Sequence, residues 1–296
     1  MPNPMTESPP ATASATLSSI AKSRLPMQTQ AQTEEQKRQE LRHVKPDLGG
    51  FRNGVFIEAD PINFAEHAGY TSLFNGSTLA GWDGHPDIWK AENGLIVGET
   101  DLIRYGHTFP NTFLIYQEIE ARDFDLKLEI KAEKGGGSGI QYRSSIGNPS
   151  HDAVTDAGTI RDPRWGMIGP QADFWYPVDD KAKAYTGQLY SQNNSRGIIA
   201  WRGQVVASQA GQIPRLVATI ADRAKLGLTV KDGDWNQYMI VARGPVVMHI
   251  LNGQLMALLI DDDPASSNNV SGLFGLQIEG VPCKVSFRNL WLKKLA

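Results

Sequence analysis

Polar residues at two-residue spacing make up the most suggestive chemical pattern in this sequence. Gln141 and Arg143 alternate with apolar residues, and Gln171 and Asp173 repeat the same spacing. Because alternate residues of a β-strand point to the same side, each pair should project from one face of a sheet. Further candidates follow downstream: Tyr190, Arg196 and Trp201. If these strands are neighbours, one sheet face carries all of these side chains.

Such a face has the chemistry of a sugar-binding site. Amide, carboxylate and guanidinium groups hydrogen-bond neighbouring hydroxyls, while an aromatic ring packs against the apolar C–H face of a pyranose. A solvated outer face with incidental salt bridges explains the same pattern equally well. The lone histidine of a predicted strand, His249, fits a structural role better than a catalytic one on pattern alone.

Several familiar chemistries are missing from the sequence. It contains no glycine-rich phosphate loop, no HExxH, no GxSxG and no closely spaced set of metal ligands. The single cysteine, Cys283, excludes an intrachain disulfide, and its alternating apolar surroundings predict an inert core thiol. The acidic run at 261–263 favours a solvated turn over a calcium site, because consecutive extended residues cannot all face one ion. The sequence therefore predicts no cofactor and leaves a divalent metal open.

Composition and charge narrow the classes of partner. The 296 residues are 41% hydrophobic and 21% charged, with a formal net charge of −3, which is a normal globular balance. A near-neutral charge gives no reason to expect nucleic acid, and no segment reaches the roughly 20 apolar residues of a membrane span. The first residues lack a clear signal peptide or a lipid-bearing cysteine, so localisation stays open, as does the oligomeric state.

Residue composition and alternation predict an N-terminal arm followed by an all-β domain. Residues 1–32 are poor in apolar side chains and are expected to be disordered, while 33–43 predict a short helix. In this arm, taken as residues 1–68, His67 is expected to be exposed. From residue 69 onward, short alternating segments and the Asn252-Gly253 hairpin signal predict a two-sheet sandwich over 69–296. Two of these segments predict strands over 124–131, with its apolar residues on one face, and over 246–251. Within this domain one helix is predicted, over 215–226, with Leu216, Ile220 and Leu226 facing inward.

The order of the motifs resembles the 3-keto-disaccharide hydrolase family. The opening match comprises residues 69–76, 79–82, 89–94 and 98–99. The match continues in order through 111–115, 123–126, 138–143, 171–173, 186–187, 189–190, 196–197, 235–236, 249, 252–253 and 275–277. The resemblance implies a concanavalin A-like jelly roll and hydrolysis of glycosides already oxidised at C3. It therefore also implies a small-molecule carbohydrate as the partner. Many relatives are exported by environmental bacteria that digest polysaccharides or plant glycosides.

The resemblance implies an elimination followed by a hydration, and it suggests roles for individual residues. Asp173 is the first choice for the base, and Glu99 is a second carboxylate candidate. Arg143 and Arg196 are expected to stabilise an oxyanion or to hold hydroxyls, and Tyr190 or His249 to act as the acid. The expected substrate-binding residues are Gln141, Gln171, Gln277, Glu279 and Trp201. Glu279 stands where the family often has a histidine, and it could replace that histidine as a proton carrier.

Two other functions remain open at this point. Jelly rolls also serve as lectins, so the domain could be a carbohydrate-binding module without catalysis. Alternatively it could be an adaptor whose 1–68 arm docks to a partner through its short helix.

Overall fold

The computed structural model describes residues 63–101, 111–147, 163–193, 196–264, 266–280 and 282–295. The predicted disorder of 1–32 and the predicted helix at 33–43 lie outside these ranges. Within them the chain forms seventeen β-strands, two short α-helices and two 3₁₀ turns. The helices are α1 (Asp180–Tyr185) and α2 (Arg223–Gly227), and the 3₁₀ turns are Pro163–Trp165 and Ser267–Asn269. Among the described residues, no helix is long and apolar enough to cross a bilayer.

The strands form two sheets, as predicted. The ten-stranded sheet contains β1 (Thr71–Ser72), β3 (Trp89–Glu92), β4 (Leu95–Thr100), β6 (Phe124–Lys134), β11 (Gln204–Ser208), β12 (Arg215–Thr219), β13 (Asn236–Arg243), β14 (Val246–Leu251), β15 (Gln254–Asp261) and β17 (Cys283–Lys294). The seven-stranded sheet contains β2 (Trp82–Asp83), β5 (Thr112–Ala121), β7 (Gly137–Ile146), β8 (Met167–Trp175), β9 (Leu189–Gln192), β10 (Gly197–Ala200) and β16 (Gly272–Ile278).

The order of the strands is that of a jelly-roll sandwich. The ten-stranded sheet runs β12-β11-β15-β14-β13-β6-β17-β4-β3, with β1 beside β17, and the other sheet runs β10-β9-β8-β7-β16-β5-β2. The chain crosses repeatedly between the sheets, for example from β5 to β6 to β7 and from β15 to β16 to β17. The alternation on β6 explains the packing, since Phe124, Leu126, Leu128 and Ile130 are all buried in the core between the sheets.

Turn chemistry sets the hairpin register. Asn252 and Gly253 have φ of 50° and 79°, the left-handed pair that a tight two-residue hairpin needs. This turn joins β14 to β15, and β14 has the bounds that the sequence predicts. Cys283 is buried at the start of β17, and burial raises its pKa to about 12, so the predicted inert core thiol is confirmed.

The predicted helix over 215–226 is wrong in its first half. Residues 215–219 form β12, an edge strand that pairs with β11, and only Arg223–Gly227 is helical. The β-branched Val217 and Thr219 favour extended backbone, and the Asp222 side chain caps the helix by accepting a hydrogen bond from the Lys225 N–H at 2.9 Å. Leu216 is 53% exposed, so the predicted inward stripe reduces to Leu226.

Residues just before the predicted domain boundary pack against the ten-stranded sheet. The Lys127 ammonium group donates to the backbone carbonyls of Asn63, at 3.3 Å, and Glu66. The imidazole of His67, expected to be exposed, stacks on the indole of Trp291 with ring centroids 3.9 Å apart. The packed part of the chain therefore begins before residue 69.

Candidate functional site

The outer face of the seven-stranded sheet carries a group of polar side chains. Ile140, on β7, and Ala172, on β8, point into the core, so their neighbours Gln141, Gln171 and Asp173 project from the opposite face. The register sets them in rows across the strands. Gln171 lies opposite Gln141 on one side and opposite Tyr190 on the other.

A second row of side chains lies on the same face, two residues farther along the strands. Asp173 and Gln277 both lie opposite Gly139, on its two sides, and the backbone N–H of Asp173 donates to the carbonyl of Gln188 at 3.3 Å. We call the five residues of these rows that carry an amide or a carboxylate the amide–carboxylate cluster: Gln141, Gln171, Asp173, Gln188 and Gln277. All five are buried.

A glycine gives this cluster the space to form. A Cβ atom at Gly139 would lie 2.6 Å from the side-chain nitrogen of Gln171, which no real side chain tolerates. With glycine there, the Gln171 amide crosses β7 and donates to Gln277 Oε1 and to Asp173 Oδ1, each at 2.7 Å. Gln188 donates to the other carboxylate oxygen of Asp173 at 2.5 Å. Both oxygens of the acid are therefore held by neutral amides.

The environment of Asp173 moves the pKa of its carboxyl toward neutrality. Burial raises the pKa of this carboxyl, the hydrogen bonds of Gln188, Gln171 and Trp175 oppose the rise, and the charge of Glu279 adds to it; the resulting pKa is about 7. Amide donors lower a carboxyl pKa less than a guanidinium does, because they carry no net charge. An acid with this pKa is partly ionised at pH 7, as general base catalysis requires.

Three amide atoms of the cluster have no hydrogen-bond partner among the described residues. They are the donor Gln141 Nε2 and the acceptors Gln171 Oε1 and Gln188 Oε1, each buried. Leaving such groups unpaired costs free energy, so native structures rarely keep them without a reason. Since a hydroxyl both donates and accepts, one donor beside two acceptors suits a polyhydroxylated ligand.

Two further titratable groups flank the cluster. Burial raises the pKa of the half-buried Tyr190 phenol, and the charge of Asp173 adds to this shift. Burial also raises the pKa of Glu279, whose Oε2 accepts a hydrogen bond from the Gly137 N–H at 2.8 Å. Both groups therefore favour their protonated forms more than they would in water.

A row of aromatic rings continues from the cluster. Trp175 follows Asp173 by two residues on β8, and its indole packs against the Tyr185 ring at 4.9 Å between centroids. Tyr185 stacks on Trp201 at 5.8 Å, and the Arg223 guanidinium carbon lies 4.1 Å from the Trp201 ring centroid. Trp201 thus connects to the cluster through Tyr185 and Trp175, and all three rings are partly exposed.

Arg143 does not join the face on which Gln141 lies. Its φ of 48° and a shift in the β7–β8 register mark a β-bulge that breaks the two-residue alternation. Its guanidinium group donates to the backbone carbonyls of Arg122 and Asn268 at 2.6 Å and of Gly244 at 2.9 Å, and it pairs with Asp123 at 3.4 Å. The sequence-based expectation that Arg143 shares a face with Gln141 is therefore wrong.

Arg196 also lies in a different environment from the predicted one. Its guanidinium group donates to Asp261 Oδ2 and Ser266 Oγ at 2.7 Å, and to Ser208 Oγ at 2.5 Å. Asp261 and Ser208 end two strands of the ten-stranded sheet. The arginine therefore ties the two sheets together at this end of the sandwich.

The structure brings neither His249 nor Glu99 to the outer face. His249 is buried between the sheets, where its Nδ1 lies 3.2 Å from the Gln188 carbonyl and its Nε2 lies 2.8 Å from the Tyr142 hydroxyl. A carbonyl only accepts, so Nδ1 carries the proton and Nε2 accepts from Tyr142. Burial lowers the pKa of His249 to about 3, so it stays neutral. Glu99 lies on β4 of the other sheet, opposite Lys284.

Sequence reasoning missed three residues that belong to this region: Trp175, Tyr185 and Gln188. A signal existed for two of them, because Trp175 lies two residues after Asp173 and Gln188 lies two before Tyr190. Tyr185 lies on α1, which the sequence did not predict, so no alternation pointed to it. Among the described residues no group of three His, Cys, Asp or Glu side chains is placed to hold a metal ion.

The order of the strands in the two sheets defines the class of this protein as a jelly-roll β-sandwich. The chain belongs to the family of 3-keto-alpha-glucoside-1,2-lyase-like domains, whose sequence profile matches residues 69–293. A 3-keto-disaccharide hydrolase of Bacteroides thetaiotaomicron is 25% identical over 203 residues, which cover 63% of this chain. The match spans 57% of that relative's own length.

Solved structures of similar shape include two bacterial proteins. A candidate glycosyl hydrolase of Parabacteroides distasonis is 19% identical over 77% of this chain and 95% of its own, with a TM-score of 0.46. A carbohydrate-binding module of Bacillus subtilis is 16% identical over 76% of this chain and 95% of its own, with a TM-score of 0.37.

Proposed function

We propose that this protein cleaves glycosides whose C3 hydroxyl has already been oxidised to a ketone, with Asp173 as the base. The observation that carries the proposal is the amide–carboxylate cluster, in which a buried carboxyl with a pKa of about 7 lies among unpaired amide atoms. The family to which the chain belongs, and the name of its Bacteroides relative, support the same substrate class.

The proposed reaction is an elimination followed by a hydration. The C3 ketone acidifies the C2 proton, Asp173 removes it, and the electron pair forms an enolate with its charge on the C3 oxygen. The enolate then forms the C1–C2 double bond as the C1–O bond breaks, and the leaving oxygen takes a proton from an acid. Water adds across the double bond, its oxygen to C1 and its proton to C2. The net reaction consumes one water and releases the 3-keto sugar.

The side chains of the outer face suit the remaining roles. The unpaired Gln141 amide is a donor for the enolate oxygen, because both predicted arginines are engaged elsewhere. Glu279 and Tyr190 flank Asp173, and burial raises the pKa of each, so each is a candidate acid for the leaving oxygen. Gln171, Gln188 and Gln277 bind ring hydroxyls.

The test is turnover of a 3-keto disaccharide beside the same disaccharide with an intact C3 hydroxyl, each with and without a chelator. We expect free sugar to be released from the ketone alone, because only the ketone acidifies C2. Release from both substrates would contradict the elimination and indicate ordinary glycoside hydrolysis. Binding of both without release would favour a carbohydrate-binding module, which the unpaired amides and the aromatic row would also suit.

A further inference from the structure

A cavity of about 570 Å³ opens next to Trp175, the last residue of β8. Its walls come from α1, from α2 and from the end of β8, where Trp175 lies. The volume falls within the ~300–1,000 Å³ that is usual for small-molecule sites in proteins. None of the cluster's five residues lines this cavity, so it is a separate compartment that shares one wall with the cluster.

Buried Arg202 holds the walls of this cavity in place. Its guanidinium group donates to the carbonyls of Lys183 at 2.8 Å and Thr186 at 2.7 Å, in and after α1, and to that of Arg223 at 2.9 Å, in α2. Burial lowers its pKa to about 10, so it remains charged at neutral pH. The Thr186 hydroxyl accepts a hydrogen bond from the backbone N–H of Trp175 at 2.9 Å, which holds the shared wall in place. One buried cation therefore preorganises both helices.

The charges in the lining balance each other. Three acids and three bases line the cavity: Asp180, Asp222, Asp232, Lys183, Arg202 and Arg223. Lys183 pairs with Asp232 at 3.6 Å, and Arg202 is engaged with carbonyls. With no surplus of either sign, the cavity has no reason to prefer an anion or a cation. The combination of polar groups and one indole wall suits a neutral ring with many hydroxyls.

We propose that this cavity binds the leaving-group half of the substrate, a neutral sugar ring or a comparable polyol, an inference that rests on the function proposed above. The unpaired amides of Gln141 and Gln171 suit the oxidised ring, and they lie on the side of Asp173 away from Trp175. The substituent on C1 then extends in the remaining direction, toward Trp175 and the cavity next to it. Binding energy from this half would position C2 against the base.

The experiment fills the cavity with a ring and compares two substrates. Ala184 lines the cavity from α1, whereas Lys181 lies exposed on the same helix outside the lining, so Ala184→Trp and Lys181→Trp form a matched pair. The substrates are a 3-keto disaccharide and the methyl glycoside of the same 3-keto sugar, whose leaving group is too short for the cavity. The measured quantity is the ratio of the two kcat/KM values.

We expect Ala184→Trp to lower that ratio about tenfold, since a lost sugar-stacking contact is worth on the order of 1.4 kcal/mol, and Lys181→Trp to leave it unchanged. An unchanged ratio in a folded Ala184→Trp, checked by circular dichroism, would overturn the proposal. If Ala184→Trp does not fold, Arg223→Ala replaces it with the same expected fall. If the wild type cleaves neither substrate, the proposed function fails. The proposal for the cavity is then tested by titration of the protein with trehalose. We expect trehalose to bind the wild type and to bind Ala184→Trp more weakly. If trehalose does not bind the wild type, the proposal for the cavity is rejected.

Discussion

Two buried aspartates, one in each sheet, differ in how the chain surrounds them. Asp173 on β8 has only neutral hydrogen-bond partners, the side chains of Gln171, Gln188 and Trp175, and burial raises its pKa to about 7. Asp261 on β15 is also buried, but Ser266, Arg196 and Asn268 donate to its Oδ2 at 2.7 to 2.9 Å. Those bonds and the Arg196 charge outweigh burial and lower its pKa. The pKa shifts of the two acids thus have opposite directions, and the acid with the lowered pKa is the one with a guanidinium partner.

The two arginines predicted for the site both stabilise the turn at residues 266–269 instead. Arg143 donates to the Asn268 carbonyl and Arg196 to the Ser266 hydroxyl, so both hold the short turn 266–269 that follows β15. A guanidinium next to Asp173 would have kept that acid ionised and a weaker base. Placing both arginines at the end of the sandwich leaves the outer face without a fixed cation among the cluster's described contacts.

The largest expected effect is on turnover, from Asp173→Asn. If Asp173 is the base, the amide cannot accept the C2 proton, and we expect kcat to fall by about 10² to 10⁴-fold. The fold should persist, because Asn has the same shape and the unpaired oxygens of Gln171 and Gln188 can accept from its NH₂ after an amide flip. The measurements are steady-state rates on a 3-keto disaccharide and thermal melts at pH 7. Retained activity would reject Asp173 as the base.

The same variant has a pH signature in stability. The folded-state pKa of Asp173, about 7, lies above its ordinary value of 3.8, so the folded protein favours the protonated form. The wild type therefore loses stability as pH rises from about 4 through 7, and Asp173→Asn should melt at or above the wild type at pH 8. A variant that melts well below the wild type at pH 8 would contradict the raised pKa.

The next effect is on stability, from Asp261→Asn. This change removes the charged partner of Arg196 in a buried network, and we expect a loss of about 3–5 kcal/mol in the free energy of unfolding. For Asp261 the folded pKa is lowered, so its contribution is present above the ordinary pKa and is lost as pH falls through the folded value. Urea unfolding at pH 7 measures the loss, and kcat per folded molecule should not change. A loss under about 1 kcal/mol would mean that the pair contributes little, as exposed pairs do.

The sequence predicted those parts of the molecule that depend on local alternation. The core face of β6, the bounds of β14 and the shared face of Gln171 and Asp173 all follow from period-two patterning. The same rule, applied to β14, groups His249 with the buried Val247 and Leu251 and would have placed its ring in the core.

The predictions that failed depend on distant contacts. Arg143 leaves the alternation at a bulge against which Gly272 packs so closely that a Cβ there would lie 2.5 Å from the Arg143 carbonyl carbon. Arg196 finds its partner, Asp261, 65 positions along the chain, and nothing local in the sequence marks that pairing. β12 is extended because β11 supplies its hydrogen bonds, which overrides the helical spacing of its apolar residues.

The smallest expected effect comes from Gln188→Met, which should shift the pKa of Asp173 and leave this residue in place. Gln188 donates to Asp173 Oδ2 at 2.5 Å, and this bond favours the ionised form. In Gln188→Met we therefore expect the apparent pKa on the rising limb of kcat/KM to increase by about one unit, which lowers the rate at pH 7 about fivefold and restores it near pH 9. Gln141→Met is the matched control, because Gln141 accepts from Ser144 Oγ at 3.1 Å and makes no direct bond to Asp173. The control should weaken substrate binding or turnover at every pH without moving the limb. If both variants leave the limb in place, Gln188 only binds hydroxyls, and the limb reports a group other than Asp173.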